Sequence, residues 1–166
     1  MSAIIIGKFK NMIKKDRGEV TRNALSGISC AFVPINKKWA VKMYWDEETR
    51  DETYERQAGA AAHGVAPSVG ACFDLPESDC PEDYRYGYIT EIVECGSEVF
   101  NAIYGTEEYW AIWTEITDDL EAAINWKFED FGFGNVGRKN GKWMCVDFGN
   151  FKMRTMDQQK ERYAKR

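Results

Sequence analysis

Two short acidic turns lie close together in the last third of the sequence. Asp-Phe-Gly occurs at residues 130–132 and again at 147–149, and an asparagine follows each copy closely. Asp130 also begins an Asp-x-x-x-x-Asn pattern that ends at Asn135. Carboxylate and amide oxygens are hard ligands that suit Mg²⁺, so Asp130, Asn135 and Asp147 could together serve a metal ion that carries phosphate groups.

The segment between the two turns predicts how these side chains are positioned. The apolar run "KWMCVD" predicts a strand that ends at Asp147, and Gly149 lets the chain turn away sharply. Asn140-Gly141 is typical of a type I′ turn, so "NVGRKNGKWMCVDF" predicts a short hairpin. We therefore expect the two carboxylates and the amide to converge on bound magnesium and a γ-phosphate.

A long amphipathic helix is predicted directly before the first turn. Thr106 can cap this helix, acidic residues occupy its first turn, and an apolar stripe continues to about Phe128. The stripe consists of Tyr109, Trp113, Ile116, Leu120 and Ala123.

The first half of the chain is predicted to be mostly β-structure. "SCAFVPINKKWAVKMYW" predicts a hairpin that turns at residues 36–38, and "SVGACF" and "YGYITEIVE" predict two further strands. Between them, residues 46–62 predict a helix that ends before Gly64 and Pro67. The apolar stripe of this helix is Tyr54, Ala58 and Ala61.

The order of these elements predicts the fold class. Residues 10–23 are compatible with a helix, and a charged helical tail is predicted from about Met156. A β-rich half thus precedes an α-rich half, which favours an α+β arrangement over alternating βαβ units.

Composition limits the class of protein. A chain of 166 residues that is 44% hydrophobic can bury the core of one domain, and no apolar run is long enough to cross a bilayer. Five cysteines without a Cys-x-x-Cys pair favour reduced, mostly buried thiols. The net charge of -5 combines basic ends with an acidic middle, and solvated termini explain the basic ends better than a nucleic-acid surface does.

The acidic turns, taken with the hairpin between them, resemble the protein-kinase-like superfamily. The catalytic loop of that family has an aspartate and, five residues on, an asparagine, followed by a short hairpin and Asp-Phe-Gly. Asp130, Asn135 and Asp147 reproduce this order. The resemblance implies that Asp130 orients the acceptor hydroxyl and that Asn135 and Asp147 hold Mg²⁺.

The resemblance extends towards the N-terminus. "WAVKMYW" resembles the Val-Ala-Ile-Lys strand, which implies that Lys42 contacts the α- and β-phosphates. The following helix should supply a carboxylate partner for Lys42. Glu55 fits best by its distance from the next strand, and Glu52, one turn earlier, is the alternative.

The predicted strand "YITEIVECG" resembles the one that leads into the kinase hinge. The resemblance implies that Thr90 is the gatekeeper and that the backbone of Glu91 and Val93 holds adenine. "HGVAPSVG" is similar to the Gly-Val-x-Pro link that follows the helix in small and atypical kinases.

The sequence also departs from the family pattern. The phosphate-covering loop should be rich in glycine, but "ALSGISCAFV" contains only Gly27, with Ser26 and Ser29 beside it. Phe128 and Glu129 stand where typical members have His-Arg. The 17 residues after Gly149 are too few for the activation segment and peptide-binding helices of those members. The resemblance therefore implies a minimal second lobe, as in the small early protein kinases of short-tailed lytic phages.

These likenesses imply one kinase-like domain over residues 1–166. Residues 1–95 would form a β-rich N-terminal lobe with one helix and the hinge, 96–155 a truncated α-helical C-terminal lobe, and 156–166 a charged tail. The missing helices leave open whether two copies pair as a homodimer.

The resemblance implies a small kinase that depends on ATP and Mg²⁺ and phosphorylates a Ser or Thr hydroxyl of a protein. The acceptor would be the kinase itself or, if the protein is phage-encoded, a host protein. The alternative is a pseudokinase that binds and inhibits a protein partner without phosphoryl transfer. In both cases we expect a cytoplasmic protein, in the host cytoplasm if phage-encoded, with no membrane or nucleic-acid partner.

Overall fold

The computed structural model is an α+β protein, as the sequence predicts, and its contacts define two compact units. Unit 1 comprises Met1–Glu55 and Ser68–Ile92, and unit 2 comprises Arg56–Pro67 and Val93–Arg166. The residues that the structure describes are 1–15, 25–26, 30–79, 84–128, 135–149 and 153–155.

Unit 1 is built on an antiparallel sheet. Its described strands are β1 (Leu25–Ser26), β2 (Ala31–Pro34), β3 (Trp39–Tyr44), β4 (Val69–Asp74) and β5 (Tyr86–Glu91). Within the described residues they form one five-stranded sheet in the order β1-β2-β3-β5-β4. The predicted hairpin is confirmed as β2 and β3, because Asn36 Oδ1 accepts hydrogen bonds from the Lys38 and Trp39 N–H groups and closes the turn.

Helix α1 (Ser2–Lys15) begins well before the helix-compatible segment that the sequence indicated. Ile5, Phe9 and Ile13 recur at four-residue spacing and are buried in the same cluster as apolar side chains of β3. Phe9 meets the Phe73 ring edge-on at 5.9 Å. Burial of this stripe, rather than polar composition, therefore decides where the helix lies.

Strand β3 is buried along its whole length. Trp39, Val41 and Met43 belong to the cluster that contains the α1 stripe. Successive side chains of a strand point to opposite faces, so Lys42 and Tyr44 lie on the other face of the sheet.

Helix α2 (Glu47–Ala62) matches the predicted helix, but its buried face is not the predicted one. Tyr54, Ala58 and Ala61 are only partly buried. The buried positions are Arg50, Thr53, Gln57 and Ala60, one residue earlier in the helical repeat. Polar side chains can occupy a buried face only when partners satisfy them, and a hydrophobicity pattern does not reveal those partners.

Unit 2 combines two helices with two small sheets in its described part. The helices are α3 (Ser97–Ala102) and α4 (Glu107–Ile124), and the strands are β6 (Glu94–Cys95), β7 (Trp126–Phe128), β8 (Val136–Lys139), β9 (Lys142–Cys145) and β10 (Met153–Thr155). Strands β6, β8 and β9 form one sheet in that order, and β7 pairs with β10.

The long predicted helix is α4, and its predicted cap is confirmed. Thr106 Oγ1 accepts a hydrogen bond from the Tyr109 N–H at 3.2 Å. The helix ends at Ile124 rather than near Phe128, because Asn125 adopts the left-handed conformation with φ 56° and the next residues form β7.

Some predictions concern residues that the structure does not describe. The charged helical tail, 156–166, lies outside the described residues, and so do residues 16–23 of the helix-compatible segment. None of the helices in the described ranges has the length and apolar composition that a membrane-spanning helix needs.

Arg50 has the most extensive set of side-chain contacts on the buried face of α2. It is 4% exposed and forms ion pairs with Glu47, Asp51 and Asp74. Its Nη1 also donates to the Phe73 and Gly87 carbonyl oxygens at 3.3 and 3.4 Å. Burial lowers the pKa of Arg50, but hydrogen bonds to Asp51 and Asp74 outweigh burial and raise it above its ordinary value.

We expect Arg50→Met to lower the free energy of unfolding by about 2 to 3 kcal/mol, because it leaves the buried carbonyl groups without their donor. Arg85→Met is the matched control: both guanidinium groups lie over the Tyr86 ring, at 5.8 and 5.6 Å, but Arg85 is exposed. The control should cost less than about 0.5 kcal/mol. Urea unfolding measures both variants, and equal losses would contradict a specific role for Arg50.

Cys72 on β4 should react slowly with alkylating reagents. Burial raises the pKa of its thiol from 9.0 to about 11; the nearby Arg50 opposes this shift, and Asp51 and Asp74 add to it. At pH 8 the folded protein should therefore hold about a hundredfold less Cys72 thiolate than the denatured protein. The stability that protonated Cys72 contributes is complete below pH 9 and is lost as the pH rises towards 11.

Iodoacetamide labelling followed by peptide mass spectrometry measures this protection. The exposed Cys95 should be labelled in both the folded and the denatured protein, so it reports on the reagent. Equal Cys72 labelling rates in the two states would show that the thiol is not buried as described.

Candidate functional site

Two of the predicted metal ligands, Asn135 and Asp147, lie at the open end of the β8–β9 hairpin in unit 2. Asn140 and Gly141 have φ values of 51° and 80°, which confirms the predicted turn, and Val136 pairs with Cys145. One step further, the Val146 N–H donates to Asn135 O at 2.9 Å. Asn135 therefore lies opposite Val146, the residue before Asp147, at the open end of the hairpin.

The carboxylate of Asp147 is held by its own turn. Its Oδ1 accepts a hydrogen bond from the Gly149 N–H at 3.0 Å, and its carbonyl oxygen accepts one from the Cys145 thiol at 3.2 Å. Within the described residues, Oδ2 accepts no hydrogen bond from the protein. The turn thus fixes the carboxylate and leaves an oxygen that could coordinate a cation.

Phe148 anchors the same segment in the core of unit 2. Its side chain is fully buried, and its carbonyl oxygen accepts a hydrogen bond from Arg56 Nη1 at 3.2 Å. The Arg56 guanidinium lies 4.3 Å from the centre of the Trp126 ring, a cation–π distance. Sequence reasoning missed Arg56, because nothing in the local pattern distinguishes it from an exposed helical arginine.

The donor set at the hairpin fits Mg²⁺. Mg²⁺ keeps several waters and takes one or two protein carboxylates together with substrate phosphates, so an amide and a carboxylate are a sufficient protein contribution. Asp130, the third predicted residue, lies outside the described residues. No group of three or more His, Cys, Asp or Glu side chains suited to a metal is found in the part of the chain that the structure describes.

Lys42 lies on the central strand of unit 1. It is 5% exposed, and its Nζ lies 5.9 Å from the centre of the Tyr88 ring on β5. Tyr88 stacks on Tyr44 and meets Tyr54 of α2 edge-on, so the ring beside Lys42 belongs to a cluster of three tyrosines. Lysine is rarely buried to this extent without an anionic partner or a functional role.

Thr90 shares a face of the sheet with Lys42. In the register of β3 and β5, Lys42 lies opposite Tyr88 and Ala40 opposite Thr90, and side chains two residues apart point to the same face. Thr90 is 2% exposed. A buried side chain of this size at the end of β5 suits the gatekeeper position that the resemblance implies.

Part of the Glu91 backbone already takes part in hydrogen bonds within the protein. Its N–H donates to Ser68 O at 2.8 Å, and its carboxylate accepts a hydrogen bond from the Ser68 N–H at 3.2 Å. Its carbonyl oxygen accepts a hydrogen bond from Thr90 Oγ1 at 3.5 Å, and a carbonyl oxygen has two lone pairs, so it is the group of Glu91 that could also accept from adenine. Val93 belongs to unit 2 and contacts β8 at Gly137.

The remaining predicted residues are less well defined. Glu55 and Glu52 on α2 are both exposed, so exposure does not single out either as the partner of Lys42. Gly27 and Ser29 lie outside the described residues. Lys42, Glu55, Thr90 and Glu91 belong to unit 1, and Asn135 and Asp147 belong to unit 2.

Comparison with known proteins gives limited information. No family model matches the chain, and no curated protein sequence matches it. Among solved structures, WbdD bound to the kinase inhibitor LY294002 is similar over 84% of this chain, with 12% identity and a TM-score of 0.48. A second WbdD structure is similar over 82%, with 13% identity and a TM-score of 0.45.

The chain covers 34% of the WbdD chain in both structures, about a third of its length. Similarity at this level does not establish a shared activity, and the functional proposal therefore depends on the residues themselves.

A methyl group at Gly137 should disturb the hairpin. A Cβ atom there would lie 2.6 Å from Val93 Cγ2 and 2.7 Å from Val146 Cγ1, closer than carbon atoms approach. We expect Gly137→Ala to lower the free energy of unfolding by about 1 to 3 kcal/mol.

The control for this variant is Gly7→Ala in helix α1, where nothing lies within 4 Å of the new Cβ. The same change there should raise the free energy of unfolding by up to about 1 kcal/mol, because alanine favours the helix. Denaturant unfolding measures the change in the free energy of unfolding, and therefore its sign, for both variants. Stabilisation by Gly137→Ala would show that the hairpin does not pack as described.

Proposed function

We propose that this protein has a protein-kinase-like fold, binds ATP with Mg²⁺ and transfers the γ-phosphate to a Ser or Thr hydroxyl of a protein. The observation that carries the proposal is the hairpin that ends with Asn135 opposite Val146, the residue directly before Asp147. The element order of unit 1 adds support, because helix α2 directly follows the strand that contains Lys42. The resemblance in sequence predicts both features.

Each residue would make a separate contribution to the transfer. Lys42 would neutralise charge on the α- and β-phosphates, and a carboxylate of α2 would orient its ammonium group. Asn135 and Asp147 would hold Mg²⁺, which supplies electrostatic stabilisation of the phosphate charge. Asp130 would orient the acceptor hydroxyl and accept its proton.

The base and the triphosphate need further contacts. The Glu91 carbonyl and the backbone of Val93 would bind adenine, and Thr90 would limit the depth of the adenine pocket. Gly27 and Ser29 would cover the phosphates through backbone N–H groups. With only one glycine in that segment, we expect weaker ATP binding than a glycine-rich loop would give.

Asp147→Asn tests the metal contribution with little change in structure, since an asparagine oxygen can still accept the Gly149 hydrogen bond. ATP and Mg²⁺ at about a hundred times the dissociation constant should raise the free energy of unfolding of the unmodified protein by about 2.7 kcal/mol. In Asp147→Asn the Mg²⁺-dependent part of this gain should disappear. Asp118→Asn, the same change at an exposed position of α4, should leave it intact.

Transfer itself is measured with γ-labelled ATP, with the protein and dephosphorylated casein as acceptors. Incorporation should appear on serine or threonine and fall at least a hundredfold in Asp147→Asn, as expected for loss of a metal ligand. Nucleotide stabilisation without incorporation would contradict the kinase proposal and favour the pseudokinase alternative. Absence of both would contradict nucleotide binding as well.

A further inference from the structure

Two exposed aromatic rings of unit 2 both contact a third ring, which is buried. Tyr104 and Trp110 are 66% and 54% exposed, and they lie on either side of the buried Tyr109, with ring centres 5.0 and 5.1 Å away. Trp113 continues the series, 6.1 Å from Trp110. We call these four residues the aromatic patch. Single exposed apolar residues are ordinary, but joined exposed rings are typical of interaction sites.

The chain segment that contains the aromatic patch is acidic. Residues 93–126 contain no Lys, Arg or His. The acidic residues of α3 and α4 that are exposed close to the patch in sequence are Glu98, Glu107, Glu108 and Glu115. Glu107 lies one helical turn before Trp110, so its carboxylate and the indole are neighbours on the helix surface.

This combination determines the charge of a suitable partner. Aromatic faces and carboxylates both attract Lys and Arg side chains, the first through cation–π contacts and the second through ion pairs. Nucleic acids and anionic membrane surfaces would be repelled by the same carboxylates. Tyr and Trp also anchor protein interfaces through the apolar area that they bury.

We propose that the aromatic patch is a docking surface for a protein segment in which cationic and apolar side chains alternate. The cations would lie over the rings and beside the glutamates, and the apolar side chains would cover Tyr104 and Trp110. This surface is independent of the nucleotide chemistry proposed above, because none of its residues is assigned to ATP or Mg²⁺. It would give the protein a means of selecting partners by charge.

Fluorescence anisotropy with defined peptides tests the proposal on the full chain without nucleotide. The probe is a short fluorescein-labelled peptide of alternating Arg and Leu, and the comparison peptides alternate Arg with Ser and Glu with Leu. The Arg-Leu peptide should bind at least tenfold more tightly than either comparison peptide. If the Arg-Ser peptide bound as tightly as the Arg-Leu peptide, general electrostatic attraction would explain the binding, and the proposal would be overturned.

Substitutions test whether the peptide binds at the aromatic patch. Trp110→Ser and Tyr104→Ser should each weaken Arg-Leu binding about tenfold, the size of a hot-spot loss. Trp45→Ser is the matched control: Trp45 is 59% exposed but lies in unit 1, so the change should alter binding less than twofold. Equal weakening by Trp45→Ser, or no effect of either patch variant in a protein that keeps its unfolding transition, would overturn the proposal.

Glu107→Gln should weaken binding about threefold at low salt and have less effect as salt is raised. Sedimentation of the chain without peptide tests whether a second copy of the chain occupies the patch. If Trp110→Ser converts a dimer to a monomer, or if a peptide of residues 152–166 binds the patch better than the Arg-Leu peptide, the occupant is a second copy or the chain itself, and the proposal is wrong.

Discussion

The pairing register of the β8–β9 hairpin is the constraint on which the candidate site depends. Two turn residues with positive φ set this register, and Val136 then lies opposite Cys145. This register places Asn135 opposite Val146, and a slip of one residue would change that pairing and move every side chain of the slipped strand to the other face of the ladder. Backbone hydrogen bonding therefore decides where Asn135 lies along the strand that leads to Asp147, the two residues that are predicted to hold a metal ion.

In unit 1 the corresponding constraint is the burial of β3 on both faces. Apolar residues of the α1 cluster cover one face, and the tyrosine rings beside Lys42 occupy the other. An ammonium group in such surroundings loses hydration, so an anionic group is a favourable partner. In the function proposed above, the phosphates of a nucleotide are such an anionic group.

Charge is distributed differently around the two proposed binding sites. The cation-free segment that includes α4 presents glutamates and aromatic rings, whereas the candidate phosphate contact, Lys42, lies in a different unit. The proposed phosphate contact would attract an anion, whereas the aromatic patch and its glutamates would attract a cationic segment. The two proposals together would give the chain one site for an anion and another for a cationic protein segment.

Local chemistry in the sequence was enough to determine the α+β class, the β2–β3 and β8–β9 hairpins and the Thr106 cap, because turn and cap preferences act over a few residues. Only the tertiary structure decided which face of α2 is buried. It also decided that Arg56 donates a hydrogen bond to Phe148, in the segment that contains Asp147. Asp74 lies 24 positions from Arg50, and Phe148 lies 92 positions from Arg56. A periodic pattern records which side chains are apolar, but the burial of a charged side chain depends on partners that only the folded chain brings close.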